Sequence, residues 1–439
     1  MRAPRAPLPR ASDPSDRVAP RSCVVEEARR TPAATTFPGR AGLAALLLGL
    51  VAEACVPTLK TPLKQALPSV LGEEGAAAPC WREVGTVALP GPALAGTLAD
   101  LDGNGGLDLA AHAVVDGAPA LVFAFNDGRG QLGRTTSLRL NGSPIALRAA
   151  DVNLDGYVDL VVASNSAVPK EPSALHVLLG DGAGGFIAGA TALPFQPSAL
   201  WVADLDGNEV MDALVLDHDG SAGAILLGDG RGEFAVKGRF RLPGKVQPGA
   251  LAVADLNGDR IADLASLHVR GNGKAILTIH RGRGDDFKPW MKAEIGEGPG
   301  SVAAGDLNRD GHPDLVALTA GGGAQPSAVL LLGNGVPELD FMGVRYFGPP
   351  QSRSLQLADV TGDGFVDAVS LRAAGDGIDT IPGDRRGGLG KLGGGPIGAG
   401  ILVSLLGDLN RDGRPEIVVL RPDQSGAAIL QPTACAAGG

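Results

Sequence analysis

Basic charge is scarce in this chain. Of 439 residues, 38 are Lys or Arg against 48 Asp or Glu, and the formal net charge of −10 argues against a nucleic-acid partner, which calls for a basic face. Catalytic signatures are missing too. His112, His176, His218, His268, His280 and His312 form no H-E-x-x-H or other zinc spacing, and there is no G-x-S-x-G nucleophile elbow. No catalytic residue is named by the sequence, and no enzyme is expected. Gly128, Gly130 and Gly133 fit G-x-G-x-x-G, but they open no helix, so no dinucleotide site is expected either. Aromatics make up 4% of the chain while glycine reaches 66 residues, a balance that suits many short strands joined by tight turns.

What the chain does have is one acidic stretch written seven times. In DLNRDGHPD, an oxygen-bearing side chain stands at every second position. Asp306, Asn308 and Asp310 can converge on one cation, the carbonyl of His312 can join them, Asp314 closes the ring, and Gly311 supplies the sharp turn. Hard divalent cations take six to eight oxygens at about 2.3–2.6 Å, so calcium is the natural guest. The same positions recur in six further loops. They are Asp100, Asp102, Asn104, Gly106 and Asp108; Asp151, Asn153, Asp155, Tyr157 and Asp159; and Asp204, Asp206, Asn208, Val210 and Asp212. After these come Asp255, Asn257, Asp259, Ile261 and Asp263; Asp359, Thr361, Asp363, Phe365 and Asp367; and Asp408, Asn410, Asp412, Arg414 and Glu416. Up to seven calcium ions are therefore expected. Three carboxylates in each of seven loops are 21 of the 48 acidic residues, so the acid excess has a local cause.

The loops begin 51, 53, 51, 51, 53 and 49 residues apart, a period that marks a repeat architecture. Each unit parses into four strand-like pieces. The second reads PIALRAAD (144–151), YVDLVVAS (157–164), SALHVLLGDG (173–182) and FIAGATAL (186–193), apolar runs that suit strands buried on both faces. Four strands in seven units describe an all-β, seven-bladed β-propeller. A glycine turn such as GDGAGGF at Gly180 or GDGRGEF at Gly228 follows the third strand in six units. The seventh unit stops one strand short, and WREVGTVAL (81–89) has no unit of its own, so the N-terminal strand is expected to close the last blade. That closure brings Cys80 to face Cys435 where the other blades have their glycine turn, and a disulfide is expected there. Arg283-Gly284-Asp285 is one variant of this turn and carries no separate meaning.

Ahead of the repeats, residues 1–40 are rich in Pro, Ala and Arg, and Ala41–Ala54 is an apolar run of signal-peptide length ending at Ala52-Glu53-Ala54. The run is too short, and too interrupted by Glu53, to favour a membrane span. Residues 1–54 thus read as an export segment, 55–79 as a flexible tether, 80–436 as the propeller and 437–439 as a tail. Two outcomes of processing stay open, lipidation at Cys55, which resembles a lipobox cysteine, and ordinary cleavage and release. The protein is expected in the cell envelope, the periplasm or outside the cell. Contact with a membrane is expected only through such a lipid anchor.

Together these motifs resemble the FG-GAP (VCBS) repeats, the calcium-loop propeller repeats also found in integrin alpha chains. The resemblance rests on the D-x-[DN]-x-[DN]-G-x-x-D loops and on LLGDGAGGF (178–186) and LLGDGRGEF (226–234), over roughly residues 81–432. It implies that each loop joins a blade's first two strands and binds one calcium. Glu209 and Arg260 depart from the pattern at the turn glycine, Thr361 at a ligand and Glu416 at the closing position. EF-hands do not fit, because loop position 12 is never Glu. The expectation is a monomeric binding, adhesion or structural module with an unknown protein or glycan ligand. A carbohydrate-binding lectin is the nearer rival, and a hydrolase or lyase on the same scaffold the further one.

Overall fold

The computed structural model describes residues 64–65, 77–166, 168, 171–319, 327–335, 342–347, 352–384 and 386–435. The expected export segment, Cys55, most of the expected tether and the expected tail lie outside the described residues. Among those that are described, no helix is long and apolar enough to cross a membrane.

Seven antiparallel sheets account for the repeats. Blade 1 is Ala93–Ala99, Asp108–Val115, Ala118–Asn126 and Leu132–Leu138, and blade 2 is Ser143–Ala150, Asp159–Asn165, Ser173–Gly180 and Phe186–Leu193. Blades 3 to 6 begin at Pro197, Leu251, Gly300 and Ser352 and run in the same order. Blade 7 takes Val403–Gly407, Glu416–Leu420 and Gly426–Thr433 from the C-terminal end and borrows Cys80–Ala88 as its outer strand. The borrowed strand pairs antiparallel with Gly426–Thr433, Cys80 opposite Thr433 and Ala88 opposite Gly426. The fold is a seven-bladed β-propeller with four-stranded blades.

Alternation within each strand explains why the runs are apolar without a break. In the second strand of blade 2, Leu160 and Val162 pack toward blade 1, and Val161 and Ala163 pack toward blade 3. A strand with a neighbouring sheet on each side has no solvent face, so period-two patterning disappears. Wedges of this kind fill every seam between successive blades, including the one where blade 7 meets blade 1 through Val418, Leu420, Leu109 and Ala111. Burial on both faces holds for the second and third strands only. The fourth strands lie outermost, and in Leu132–Leu138 five consecutive residues are exposed.

Closure is covalent as well as apolar. Cys80 and Cys435 form a disulfide across 355 residues with Cα atoms 4.9 Å apart, in the place the glycine turn takes elsewhere. Thr433 Oγ1 donates to the Cys80 carbonyl at 3.2 Å, and Trp81 Nε1 reaches Thr380 Oγ1 of blade 6 at 3.2 Å. Regular structure starts earlier than the sequence suggested. Lys64–Gln65, inside the expected tether, pairs parallel with Val344 and Arg345 as a fifth strand on blade 5. An outer strand leaves a row of unpaired N–H and C=O groups that any nearby extended chain can take up.

Two outcomes follow for stability. Leu160→Ala, at a fully buried seam position, should lower the unfolding free energy by about 2–5 kcal/mol in denaturant titration. Reduction of Cys80–Cys435 should cost a few kcal/mol and bring the melting temperature down, with Cys435→Ser reproducing the loss without reductant.

Candidate metal centres

Each acidic loop links the first and second strands of its blade, so all seven stand at the same end of the propeller. The backbone winds them with two left-handed residues. At the sixth position these are Gly105, Gly156, Glu209, Arg260, Gly311, Gly364 and Gly413, with φ between 67° and 88°. Glu209 and Arg260 thus keep the turn that glycine makes elsewhere, at a cost of about 1 kcal/mol each. The fourth position is left-handed as well, as Gly207 (φ 81°) and Leu154 (φ 60°) show. That second requirement escaped the sequence reading, although glycine at 103, 207, 258 and 362 was its signal.

This winding turns the side chains inward. The opening aspartate accepts backbone N–H bonds from its own loop, as Asp306 does from Asp310 at 3.1 Å and Gly311 at 2.9 Å. The fifth residue accepts from the seventh, as Asp310 does from His312 at 2.9 Å. In the first and third loops, three carboxylate oxygens already lie within 4.8 Å of one another, on Asp100, Asp102 and Asp108 and on Asp204, Asp206 and Asp212. The fourth loop meets part of its own charge. There Arg281 reaches Asp259 at 2.8 Å, and Asn257 Nδ2 donates to Asp263 at 2.9 Å.

The closing acid does two things. Asp108 Oδ2 accepts the Leu101 N–H at 2.8 Å, and its Oδ1 accepts the Asn126 N–H at 2.7 Å. Asp159, Asp212, Asp263, Asp314 and Asp367 repeat the arrangement with Gly180, Gly228, Gly282, Gly333 and Gly383. One carboxylate therefore pins the start of the loop to the end of the third strand. Glu416 bonds Leu409 at 2.8 Å, but its other oxygen meets Asn410 and Gln431 side chains, because blade 7 has no glycine turn to offer an amide. In three blades the glycine turn also abuts the acidic loop of the blade before it. A Cβ on Gly130, Gly284 or Gly387 would meet Asn410, Asp206 or Asn308 at 2.9, 3.0 and 2.7 Å, which is why the turn carries glycine. Gly284 is the middle residue of Arg283-Gly284-Asp285, so that tripeptide is part of the seam.

Charge and burial together favour a cation. The closing acids are buried, and burial raises Asp108, Asp212, Asp263, Asp314 and Asp367 to about 6, backbone N–H bonds opposing the rise and neighbouring loop carboxylates adding to it. Burial raises Asp159 and Glu416 too. Asp100 Oδ1 and Asn257 Oδ1 are buried acceptors with no hydrogen-bond partner. An all-oxygen set of carboxylates, amides and a backbone carbonyl, with acceptors left over, fits a hard divalent cation.

The repeats are recognised independently. An FG-GAP-like repeat model matches residues 151–215 and 204–266, and an FG-GAP repeat model matches 298–332. The chain carries FG-GAP repeats. Those matches fall on blades 2 to 5, and the same loop, strands and seam recur in the other three. No curated protein matches this chain. Among solved structures, BBS1N in complex with ARL6DN, soaked with mercury, is similar at TM-score 0.54 and 11% identity, over 82% of this chain and 99% of that one. A second structure of that complex, soaked with lead, gives 0.51 and 11% over 83% and 99%. At such identity the likeness shows the fold alone.

The raised closing acids set a pH dependence whose sign is opposite to the usual carboxylate case. A pKa that rises on folding adds stability fully present below 3.8, the unfolded value, and lost as the pH climbs through about 6. In chelator, the melting temperature should therefore rise as the pH is lowered from about 7.5 to about 5. With millimolar calcium that rise should vanish or reverse, because a bound cation needs the carboxylates ionised. Calorimetric scans across pH in the two buffers check the difference.

Proposed function

We propose that this protein is an exported, calcium-binding propeller that works as a binding or structural module rather than as an enzyme. The observation that carries the reading is the sevenfold placement of inward-turned oxygen ligands at one end of the blades, with buried acceptors such as Asp100 Oδ1 left over. In each loop the first, third and fifth side chains, the seventh carbonyl and the closing acid would hold one ion. Bound there, calcium supplies charge neutralisation and a cross-link between the first two strands. The residues do the rest. The closing acid keeps its two amides, and the glycine turn transmits the loop's position across the seam.

Export is supported by the Cys80–Cys435 disulfide, since such bonds persist in oxidising compartments. The binding role is supported by the fold, whose loops at the two ends differ from blade to blade over a common frame. BBS1N, of similar fold, was crystallised in complex with ARL6DN, and a protein ligand is the class we favour here.

Metal analysis of the purified mature protein, paired with melting curves in EGTA, tests the reading. We expect several calcium ions per chain and a melting temperature that falls when they are removed. A metal-free protein whose melting temperature ignores EGTA would refute it.

A further inference from the structure

The innermost strands of all seven blades surround a cavity of about 580 Å³ on the propeller axis, within the usual range for a small-molecule site. Its walls are mostly backbone edge and apolar side chain. Within a chain of net charge −10, the described residues that line it include no Asp or Glu.

One strand position decides its chemistry. Three residues before the acidic loop begins, blade 2 has Arg148, blade 3 has Trp201 and blade 6 has Gln356, all facing the same cavity. Gln356 is committed: its Nε2 donates to the Ser404 carbonyl at 2.9 Å, and its Oε1 accepts the Leu406 N–H at 3.2 Å. Arg353, the other cation in the wall, donates to the Ile401 and Ala373 carbonyls at 3.3 and 3.1 Å. Arg148 has one bond, from Nη1 to the Leu147 carbonyl at 2.7 Å, which leaves most of its donors for whatever fills the cavity. Arg148 is partly buried, with its remaining open surface in the channel wall, and burial works against its charge. A partly buried guanidinium with donors to spare and no carboxylate in the wall is a ready partner for an anion.

We propose that the axial cavity binds a small organic anion, a carboxylate carried on an aromatic or aliphatic body. The carboxylate pairs with Arg148, and the body lies along Trp201 and the leucines of the wall, Leu98 and Leu405 among them. An inorganic anion would satisfy the guanidinium but leave the apolar walls against water. The site does not rest on calcium at the loops. It goes beyond the module proposed above by naming a ligand class and a place.

Calorimetric titration of the mature protein with benzoate, benzamide and sulfate, in calcium and again in EGTA, tests the proposal. Benzoate should saturate one site per chain, about tenfold or more tighter than benzamide or sulfate, because only it offers both a charge and a body. Arg148→Gln should weaken benzoate by about tenfold or more, and Arg148→Lys by less, since a point charge replaces the fork. Benzamide or sulfate binding as tightly as benzoate, an unchanged affinity in a folded Arg148→Gln variant, or no saturable benzoate binding at millimolar concentration would overturn it. The comparison among the three probes needs no variant, so it decides even where Arg148→Gln fails to fold.

Discussion

A carboxylate with no exposed surface must find partners for both oxygens, and in six of the seven blades one such group sets the positions of the parts around it. Asp108, Asp159, Asp212, Asp263, Asp314 and Asp367 each take a backbone amide from the start of the acidic loop and one from the end of the third strand, and Asp367 takes a second loop amide from Thr361. The loop then cannot move independently of the sheet. The same hydrogen bonds leave the closing acid beside the opening one, which concentrates negative charge and makes a cation at the rim the natural complement.

From that pin the structure extends outward in two directions. Around the ring, glycine turns at Gly130, Gly284 and Gly387 rest on the loops of preceding blades, and Arg411 donates to the Asn104 carbonyl at 2.7 Å where the last loop meets the first. Along the radius, apolar side chains alternate between two seams, so each blade is held by its neighbours rather than by a core of its own. Such an array is vulnerable at its ends. Here the borrowed outer strand and the disulfide make the seam between first and last blades equivalent to the others, and no unpaired terminal blade remains.

Much of this was legible in the linear order of residues. The acidic loops recur at a period too regular for chance, the glycine turns begin 24 to 29 residues after the first six loops do, and the missing strand of the seventh unit was matched by a surplus strand at the other end. The cysteines flanking that surplus strand pointed to their own pairing. Less visible was the left-handed fourth loop position, since Leu154, Arg309 and Arg411 fill it in three of the seven copies and hide the glycine signal. The strand at Lys64–Gln65 was also hidden, because a parallel pairing on an outer edge needs no apolar pattern of its own.

The sequence by itself determined blade number, the order of strands, the closure and the chemistry of the loops, because each depends on a local pattern repeated along the chain. Only the tertiary structure decided what the axial cavity contains. Arg148, Trp201 and Gln356 share a repeat position but no residue type, and nothing local distinguishes a committed Gln356 from an arginine with donors to spare. They meet because seven innermost strands converge on one axis, and convergence is a property of the closed ring rather than of any segment in it.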